Sequence, residues 1–566
     1  MVRATIGLGL AAPAVILALL SAASLGYFFG FMKPLVDAVD AFLPIDIGDA
    51  NPVAAFLSAV GMGALSIGLL RGKTVAWWLT VATLAGALFC QGVTFARPLG
   101  VVVVGGVLAV LVADNRRYEV DTSTSWRRAT VAMLVVAAVI IGLQASLVIA
   151  ATGDWPAPLA ALGVATTAIG NALGIGDDTS ANVLRFASHD VLLGLLVAVG
   201  RLPIVLAAIG VLAPVEEALV DPTTRARAQA IGQQFGRGAL LPFQLGDDKY
   251  VFTPDEALGL VVYGAAAGTT VVLGDPIGPP DQTAAVVAAF LARSRKRGRM
   301  PIFYQLSEAS RGVMTAAGFR LFPVGNEAII ELADFDLSGS RRANLRHTIT
   351  RCRKAGVSVR WFGSGIDPSL EPALTEQLRA IDEQWRAAMG PAMGFSISQF
   401  EVGCLRCQPI AVAMSEEGRA LGFTTYRPTG TDGGYVLDLM RRTAAAPPGV
   451  VEFCVAEAAV ALRASGSGTL SLGLAPLSGL SARGPFEERL LAVGSGLVHR
   501  WYDVRGLERF KAKFDPIWVP RYGATRHRRD FAAFVVGLLL VHVNLKSMLP
   551  RWRRAKAESA IGWSGG

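Results

Sequence analysis

The long uncharged runs of this chain are confined to its first 213 residues, and that confinement limits every fold open to it. A bilayer-crossing helix needs about 20 mostly apolar residues. Candidate runs occur at Thr5–Phe31, Pro52–Leu70, Thr74–Phe95, Pro98–Ala113, Ala129–Ala150 and Ser188–Ala213, the fourth of them short. Trp155–Leu173 is a weaker run that reads as re-entrant or interfacial. Beyond residue 213, charges interrupt short apolar runs in ordinary globular fashion. The expected organisation is a helical membrane domain over residues 1–217, a charged linker helix over 218–237 and a soluble half. Ala14–Leu20 imitates a signal-peptide core, but it lies within a longer span and more spans follow, so it reads as a retained anchor.

The loops carry the vote on sidedness. Arg71 and Lys73 flank one turn, and Arg116, Arg117, Arg127 and Arg128 crowd another. The loops between them carry Asp37, Asp40, Asp46 and Asp49, then Asp154, Asp177 and Asp178. Positive-inside counting puts the basic turns in the cytoplasm. Six spans then leave both termini and the soluble half cytoplasmic, whereas a seventh would put that half outside. Arg201 falls inside the sixth run, where an arginine is costly and marks a functional candidate for a lipid headgroup phosphate. The plainer alternative is snorkelling at an interface. A net charge of +9 suggests anionic partners, and the orienting loops do not account for the basic clusters far downstream.

In the soluble half, patterns of period two and period 3.6 alternate. Strands are expected at Tyr250–Phe252, Gly259–Tyr263, Thr269–Leu273, Ile302–Gln305, Glu327–Leu332, Ile410–Met414, Ala420–Tyr426, Tyr435–Met440 and Thr469–Leu474. Helices are expected at Asp281–Arg299, Glu308–Ala317, Glu371–Met389 and Val450–Ala464. This order gives two α+β units, 238–368 and 369–525, joined near Ser364–Ser369. The segment Arg341–Lys354 is a charged helix with an apolar stripe of Leu345, Ile349 and Cys352, and Arg342, Arg346 and Arg353 on the adjacent face. Such a face suits a phosphate backbone, or is simply a solvated surface. Five cysteines without a regular framework exclude a disulfide-stapled scaffold. Cys404 and Cys407 form a lone C-x-x-C without a matching pair, so no metal site is expected. No glycine-rich run has the lysine and spacing of a P-loop. No cofactor is expected.

Several motifs now fall into an order: Gly274-Asp275-Pro276, the Arg341–Gly356 helix, Leu437-Asp438-Leu439-Met440-Arg441, and the run from Ser471 to Ser478. Gly506-Leu507-Glu508-Arg509-Phe510-Lys511-Ala512-Lys513-Phe514 follows, then Trp518 and Arg521-Tyr522. In this order the chain from Gly238 to Tyr522 resembles the synthase domain of the multiple peptide resistance factor family, the aminoacyl-phosphatidylglycerol synthases. The resemblance implies a multi-domain membrane protein with an N-terminal transmembrane bundle and a C-terminal tandem acetyltransferase-like (GNAT-like) α+β domain. It implies transfer of an aminoacyl group, lysyl or alanyl, from aminoacyl-tRNA to phosphatidylglycerol, at the cytoplasmic face of a bacterial plasma membrane. The product lipid, less negative, would weaken the binding of cationic peptides. A homo-oligomer is compatible with this reading. Full-length members have a much longer membrane region, so flipping of the product by this chain alone is not expected.

Within that frame the residues take roles. Asp438 sits on the expected strand Tyr435–Met440, where alternation puts it on one face with Val436 and Met440. An isolated carboxylate among apolar residues has a raised pKa, as a general base needs. Arg441 would hold a phosphate or the developing oxyanion, unless it simply pairs with Asp438 to end the strand. Arg505, Arg509 and Lys513 repeat every four residues and line one helical face, with Lys511 off that face. With Arg442, Ser471 and Glu508 these join Arg342 and Arg346 as candidates for contact with tRNA or lipid phosphate. Asp275 is expected to shape a turn. After Arg526-His527-Arg528-Arg529, the apolar run Phe531–Val543 is too short to span and reads as a helix lying on the anionic inner leaflet, in a basic amphipathic tail over 526–566. Burial as a core helix is the alternative. Two other functions fit parts of the pattern: a lipid transporter or sensor with a ligand-binding soluble half, and a CoA-dependent N-acyltransferase, for which no good pyrophosphate loop is found.

Overall fold

The computed structural model describes residues 12–28, 52–90, 98–152, 202–212, 215, 217, 220–338, 340–389, 394–480, 487 and 504–542. The chain forms two compact units, Met1–Glu216 with Arg295–Gly298, and Glu217–Ser294 with Arg299–Gly566. The first contains helices α1 (Ala12–Phe28), α2 (Pro52–Leu70), α3 (Thr74–Cys90), α4 (Pro98–Ala113) and α5 (Thr124–Thr152). Helices α1 and α2 pack through small residues, which let hydroxyls reach the neighbouring backbone. Ser66 Oγ donates to the Ala14 carbonyl at 2.7 Å and Ser21 Oγ to the Ala59 carbonyl at 2.8 Å. Among the described residues, no helix is long and apolar enough to cross a membrane. The Trp155–Leu173 run and Arg201 lie outside the described residues.

The second unit is built on one eleven-stranded sheet in the order β1-β2-β3-β4-β11-β5-β10-β9-β8-β7-β6. Its strands are β1 (Tyr250–Phe252), β2 (Val261–Ala266), β3 (Thr269–Leu273), β4 (Met300–Leu306), β5 (Arg320–Glu331), β6 (Ser358–Phe362), β7 (Ile410–Met414), β8 (Ala420–Pro428), β9 (Tyr435–Arg442), β10 (Thr469–Pro476) and β11 (Ile517–Thr525). The helices of this unit are α6 (Pro222–Phe235), α7 (Leu241–Gln244), α8 (Thr283–Lys296), α9 (Arg311–Ala316), α10 (Ala343–Lys354), α11 (Pro372–Met389), α12 (Val450–Ala464), α13 (Val504–Ala512) and α14 (Phe531–His542). Two departures from the expected units follow from the pairing. Strand β6 lies before the expected boundary near 368, yet it pairs with β7 of the second half. Strand β11, near the C-terminus, inserts between β4 and β5 of the first half.

Period-two and helical patterning place the cores. The stripe of Leu345, Ile349 and Cys352 on α10 is buried against Val450, Phe453 and Cys454 of α12. In the first half, Phe290 on α8 and Phe303 on β4 pack edge-on at 6.5 Å, and Phe303 meets Phe319 at 5.1 Å. The α14 segment is a correction to the leaflet reading. It lies on β2 and β3, with Phe531 and Phe534 set 5.4 and 5.0 Å from the Phe322 ring. Those aromatic rings find more apolar contact in the protein than a surface helix would offer, although Val536 and Leu539 remain exposed.

Gly325 stands where β10, β5 and β11 meet, paired with Pro476 on one side and Arg521 on the other. Its φ is +146°, and a Cβ there would stand 2.3 Å from the Ala475 carbonyl oxygen. Gly325→Ala is therefore expected to disrupt the strand junction and lower the thermal transition of the detergent-solubilised chain. An unchanged transition would contradict this packing. Phe303→Ala, which empties a fully buried ring, is expected to cost about 3–5 kcal/mol in denaturant unfolding.

Candidate active site at the parting of two strands

Strands β9 and β10 run parallel but pair at only two positions, Tyr435 with Leu470 and Val436 with Ser471. Immediately past these pairs both strands bulge. On β9, Asp438 and Leu439 together face the single residue Thr425 of β8, because the register shifts between Thr424–Met440 and Tyr426–Leu437. The Thr425 hydroxyl takes up the freed Leu439 N–H at 3.1 Å. On β10, Leu472 and Gly473 face Ala328 of β5, with Gly473 at φ +77°. Bulges bend a strand and re-aim its side chains, and they cluster beside functional sites.

The β9 bulge overturns the simple alternation expected for Asp438. Leu437 and Met440 both pack on the α10/α12 core, while Leu439 joins Ile410, Val412 and Phe423 in a different core. Met440 is thus not on the face of Val436, which packs with Phe395 and Phe534. The extra residue has switched the strand's phase.

Asp438 is partly covered as a residue, but its Oδ1 is sealed from solvent and has no hydrogen-bond partner among the described residues. Burial pushes its carboxyl above the ordinary value, opposed by the Arg427 charge, a hydrogen bond from Ser398 and the Arg441 charge. Arg427 donates to Ser398 Oγ at 3.2 Å. Sequence reasoning passed over Ser398 and Arg427. A serine in a loop and an arginine near a strand end carry no signal until the fold brings them to Asp438.

Arg441 does not pair with Asp438. Its Nε donates to Asp382 Oδ1 at 2.9 Å, its guanidinium lies 3.7 Å from the Trp385 ring centroid, and Nη1 donates to the Met440 carbonyl at 3.0 Å. Asp382 also pairs with Arg386 at 2.7 Å. A guanidinium held this way fixes the end of β9 against α11 and leaves its charge near Asp438. Arg442, next in the chain, is exposed.

Across the parting lies a second buried set. Ser471 Oγ donates to Glu327 Oε1 at 2.5 Å, and Arg521 donates to Glu327 Oε2 through Nε at 2.8 Å and also through Nη2. Lys511 reaches in from α13, donating to the Leu474 carbonyl at 2.6 Å beside the β10 bulge. It is 2% exposed, and burial pulls its pKa down to about 7 against the opposing Glu327 charge. Lys511, expected among the phosphate-contacting residues, is instead the buried member of its helix among the described residues. Lys513 pairs with Glu452 at 2.8 Å, Arg509 is exposed and Glu508 half-buried. The side chain of Arg505 lies outside the described residues.

Of the three arginines expected on the α10 face, Arg353 is exposed and pairs with Glu457 at 2.9 Å, while the other two turn to the loop before the helix. Arg342 donates to the Asp334 and Asp336 carbonyls at 3.3 and 3.0 Å and stacks on Phe335, and Arg346 donates to the Leu337 carbonyl at 2.7 Å. Both arginines clamp the loop that leads into their helix. Asp275 accepts from Ser307 N at 3.0 Å and Ser310 Oγ at 2.5 Å, shaping the turn after β4. Among the described residues no cluster of His, Cys, Asp and Glu could hold a metal ion.

Comparison with known proteins bears on this site directly. Residues 232–525 match the family model described as phosphatidylglycerol lysyltransferase, C-terminal. The phosphatidylglycerol lysyltransferase of Bacillus subtilis (strain 168) is 29% identical over 291 residues, covering 51% of this chain and 33% of that protein. The lysylphosphatidylglycerol biosynthesis bifunctional protein LysX of Nocardia farcinica is 27% identical over 544 residues, covering 88% of this chain and 45% of that protein. This chain thus spans less than half the length of either relative. The structure of L-PGS from Bacillus licheniformis superposes with a TM-score of 0.50 at 28% identity, over 58% of this chain and 98% of that one. With the matched region covering both bulged strands and every buried group around them, the chain belongs to the family of the phosphatidylglycerol lysyltransferase C-terminal domain.

Proposed function

We propose that the chain transfers an aminoacyl group, lysyl or alanyl, from aminoacyl-tRNA to the glycerol hydroxyl of phosphatidylglycerol, and that it does so at the cytoplasmic face of a bacterial membrane into which its first unit is inserted by about six spans. The observation that carries this reading is the Asp438 carboxylate, re-aimed by a bulge, with one oxygen buried and unpartnered where β9 and β10 part. The family membership and the net charge of +9, which suits tRNA and acidic lipid alike, support it. The tandem acetyltransferase-like description of the soluble half belongs to the same proposal. A transporter or sensor reading gives the buried carboxylate nothing to do.

The chemistry is an exchange of esters. A lipid glycerol hydroxyl attacks the aminoacyl carbonyl, forming a new C–O bond, while the bond to the tRNA ribose oxygen breaks. Asp438 takes the proton from the attacking hydroxyl and returns it to the leaving ribose oxygen, so it ends the cycle as it began. The Arg427 and Arg441 charges oppose the effect of burial on the carboxylate, Arg441 from its clamp on Asp382. Lys511, with a pKa of about 7, is a buried amine that loses its charge readily. We assign it, with Glu327 and Ser471, to the opposite wall of the same cleft. Exposed Arg442 and Arg509 remain candidates for phosphate contact.

Expression of the chain in a host without aminoacylated lipids should yield a phosphatidylglycerol derivative whose added mass names the amino acid. Asp438→Asn should lower its accumulation by about 100-fold or more, the scale of a lost general base. Retention of the wild-type level would rule out the assignment. Because burial raises the Asp438 pKa, the active carboxylate form is lost as pH falls through that raised value. The acidic limb of kcat/KM should therefore stand above the ordinary aspartate range.

Lys511 generates a stability prediction. Its folded value of about 7 lies below the ordinary 10.5, so between them the unfolded chain binds more protons. Its contribution is full above 10.5 and is lost as pH falls to about 7. Lys511→Met should remove this rise in stability between neutral and alkaline pH; an unaltered pH dependence of the thermal transition would refute the burial of a readily neutralised amine.

A further inference from the structure

Between residues 341 and 354 the chain carries Arg341, Arg342, Arg346, Arg351, Arg353 and Lys354 and no Asp or Glu. The fold treats these cations unequally. Arg342 and Arg346 serve the loop before α10, and Arg353 pairs with Glu457 of α12. Arg351 and Lys354 are exposed, and neither has an ion-pair partner among the described residues. The acceptor that Arg351 does reach is neutral, the Pro448 carbonyl at 3.0 Å.

Residues three and four apart are neighbours on a helix, so Asn344, His347, Arg351 and Lys354 form one stripe along α10. All four are exposed. Leu345, Ile349 and Cys352 point the other way, into the core shared with α12. The stripe therefore presents charge and hydrogen-bonding groups with no apolar side chain among them. A helix that lies on a bilayer needs an apolar face to bury beside its charges, and α10 has committed its own to the protein interior. A phosphate backbone needs the opposite, cations and donors on a solvated face. The helix is also moored to connections from both walls of the candidate cleft. Arg351 and Cys352 meet the Pro448 carbonyl, in the connection that follows β9 and its Asp438. Ahead of the helix, Arg341 stands 3.6 Å from Asp515, in the turn that follows α13 and its Lys511.

We propose that the exposed stripe of α10, with Arg351 and Lys354 as its charges, holds the phosphate backbone of the tRNA while the aminoacyl end enters the cleft where β9 and β10 part. This rests on the reading of the chain as a tRNA-dependent transferase. Contacts of this kind position a nucleic acid without reading its sequence. They release condensed counterions, so each one steepens the dependence of binding on salt. The stripe holds the body of the tRNA and not the reacting ester. Its loss therefore raises KM for aminoacyl-tRNA and leaves kcat as it was.

The test uses the full chain in phosphatidylglycerol nanodiscs and takes two measurements. The first is equilibrium binding of uncharged tRNA across a salt series, which needs no transfer; the second is kcat and KM for aminoacyl-tRNA. Arg351→Gln, Lys354→Gln and the two together are compared with Arg351→Lys and with Arg419→Gln, which removes an exposed charge from the turn between β7 and β8. Each Gln in the stripe is expected to lower the slope of log affinity against log salt by about 1. The pair should weaken binding about tenfold or more near ~0.1 M salt and raise KM alike, with kcat kept. Arg351→Lys should restore the slope, and Arg419→Gln should leave it unchanged. If the pair binds tRNA with wild-type affinity and slope, the stripe's role is overturned, and transfer by the same preparation leaves the proposed function standing. A change confined to the dependence on phosphatidylglycerol would mark a lipid contact and overturn it equally. If the wild-type chain neither binds tRNA nor transfers from it, the proposed function falls and the stripe's role falls with it.

Discussion

Parallel strands that separate after two paired positions leave backbone groups unmatched on both inner edges, and buried groups of that kind must find partners. Each strand also carries an inserted residue against its other neighbour, β9 against β8 and β10 against β5, which frees further backbone groups. On β9 the Thr425 hydroxyl accepts the freed Leu439 N–H, and on β10 the Ser471 hydroxyl accepts the Gly473 N–H at 3.0 Å while Lys511 donates to the Leu474 carbonyl. Polar side chains around the parting are thus in part the groups that satisfy the bulged backbone. Fold and candidate chemistry draw on the same residues.

That economy accounts for the burial of so many ionisable groups in one region. Glu327 is held by Ser471 and Arg521, and Asp382 by Arg441 and Arg386. Removing one partner from such a set leaves a buried charge uncompensated, which destabilises by more than the pair ever contributes. Asp438 differs because one of its oxygens has no such partner among the described residues. The contrast between ion-paired carboxylates around it and an oxygen with neither hydrogen bond nor ion pair within is what singles it out.

Much of this was legible in the sequence, for identifiable reasons. Continuous apolar runs flanked by turn residues gave β3 at Thr269–Leu273, β7 at Ile410–Met414 and α12 at Val450–Ala464 with their observed ends. Strand β6 was missed because it is an edge strand with exposed Ser358 and Arg360 alternating with half-buried neighbours. Strand β11 was missed because Pro520 and exposed residues break its pattern, although it pairs along both sides within the sheet. Asp438 was recognisable as an isolated carboxylate on a strand, but its direction was not: a bulge is decided by the partner strand, which no local pattern reveals. The arginines of α10 show the converse. Their spacing announced a basic face correctly, and only tertiary structure revealed that Arg342 and Arg346 are turned to the carbonyls of the preceding loop.

The claim at the centre of this account is that the cleft moves an aminoacyl group between a nucleic acid and a lipid. The most direct measurement reconstitutes the purified full chain in phosphatidylglycerol vesicles and supplies tRNA charged with radiolabelled lysine or alanine. The account predicts label in the organic-extractable lipid, abolished by omitting phosphatidylglycerol or by deacylating the tRNA beforehand. Label that stays with tRNA or appears only as free amino acid, with both charged tRNAs tested, would contradict it.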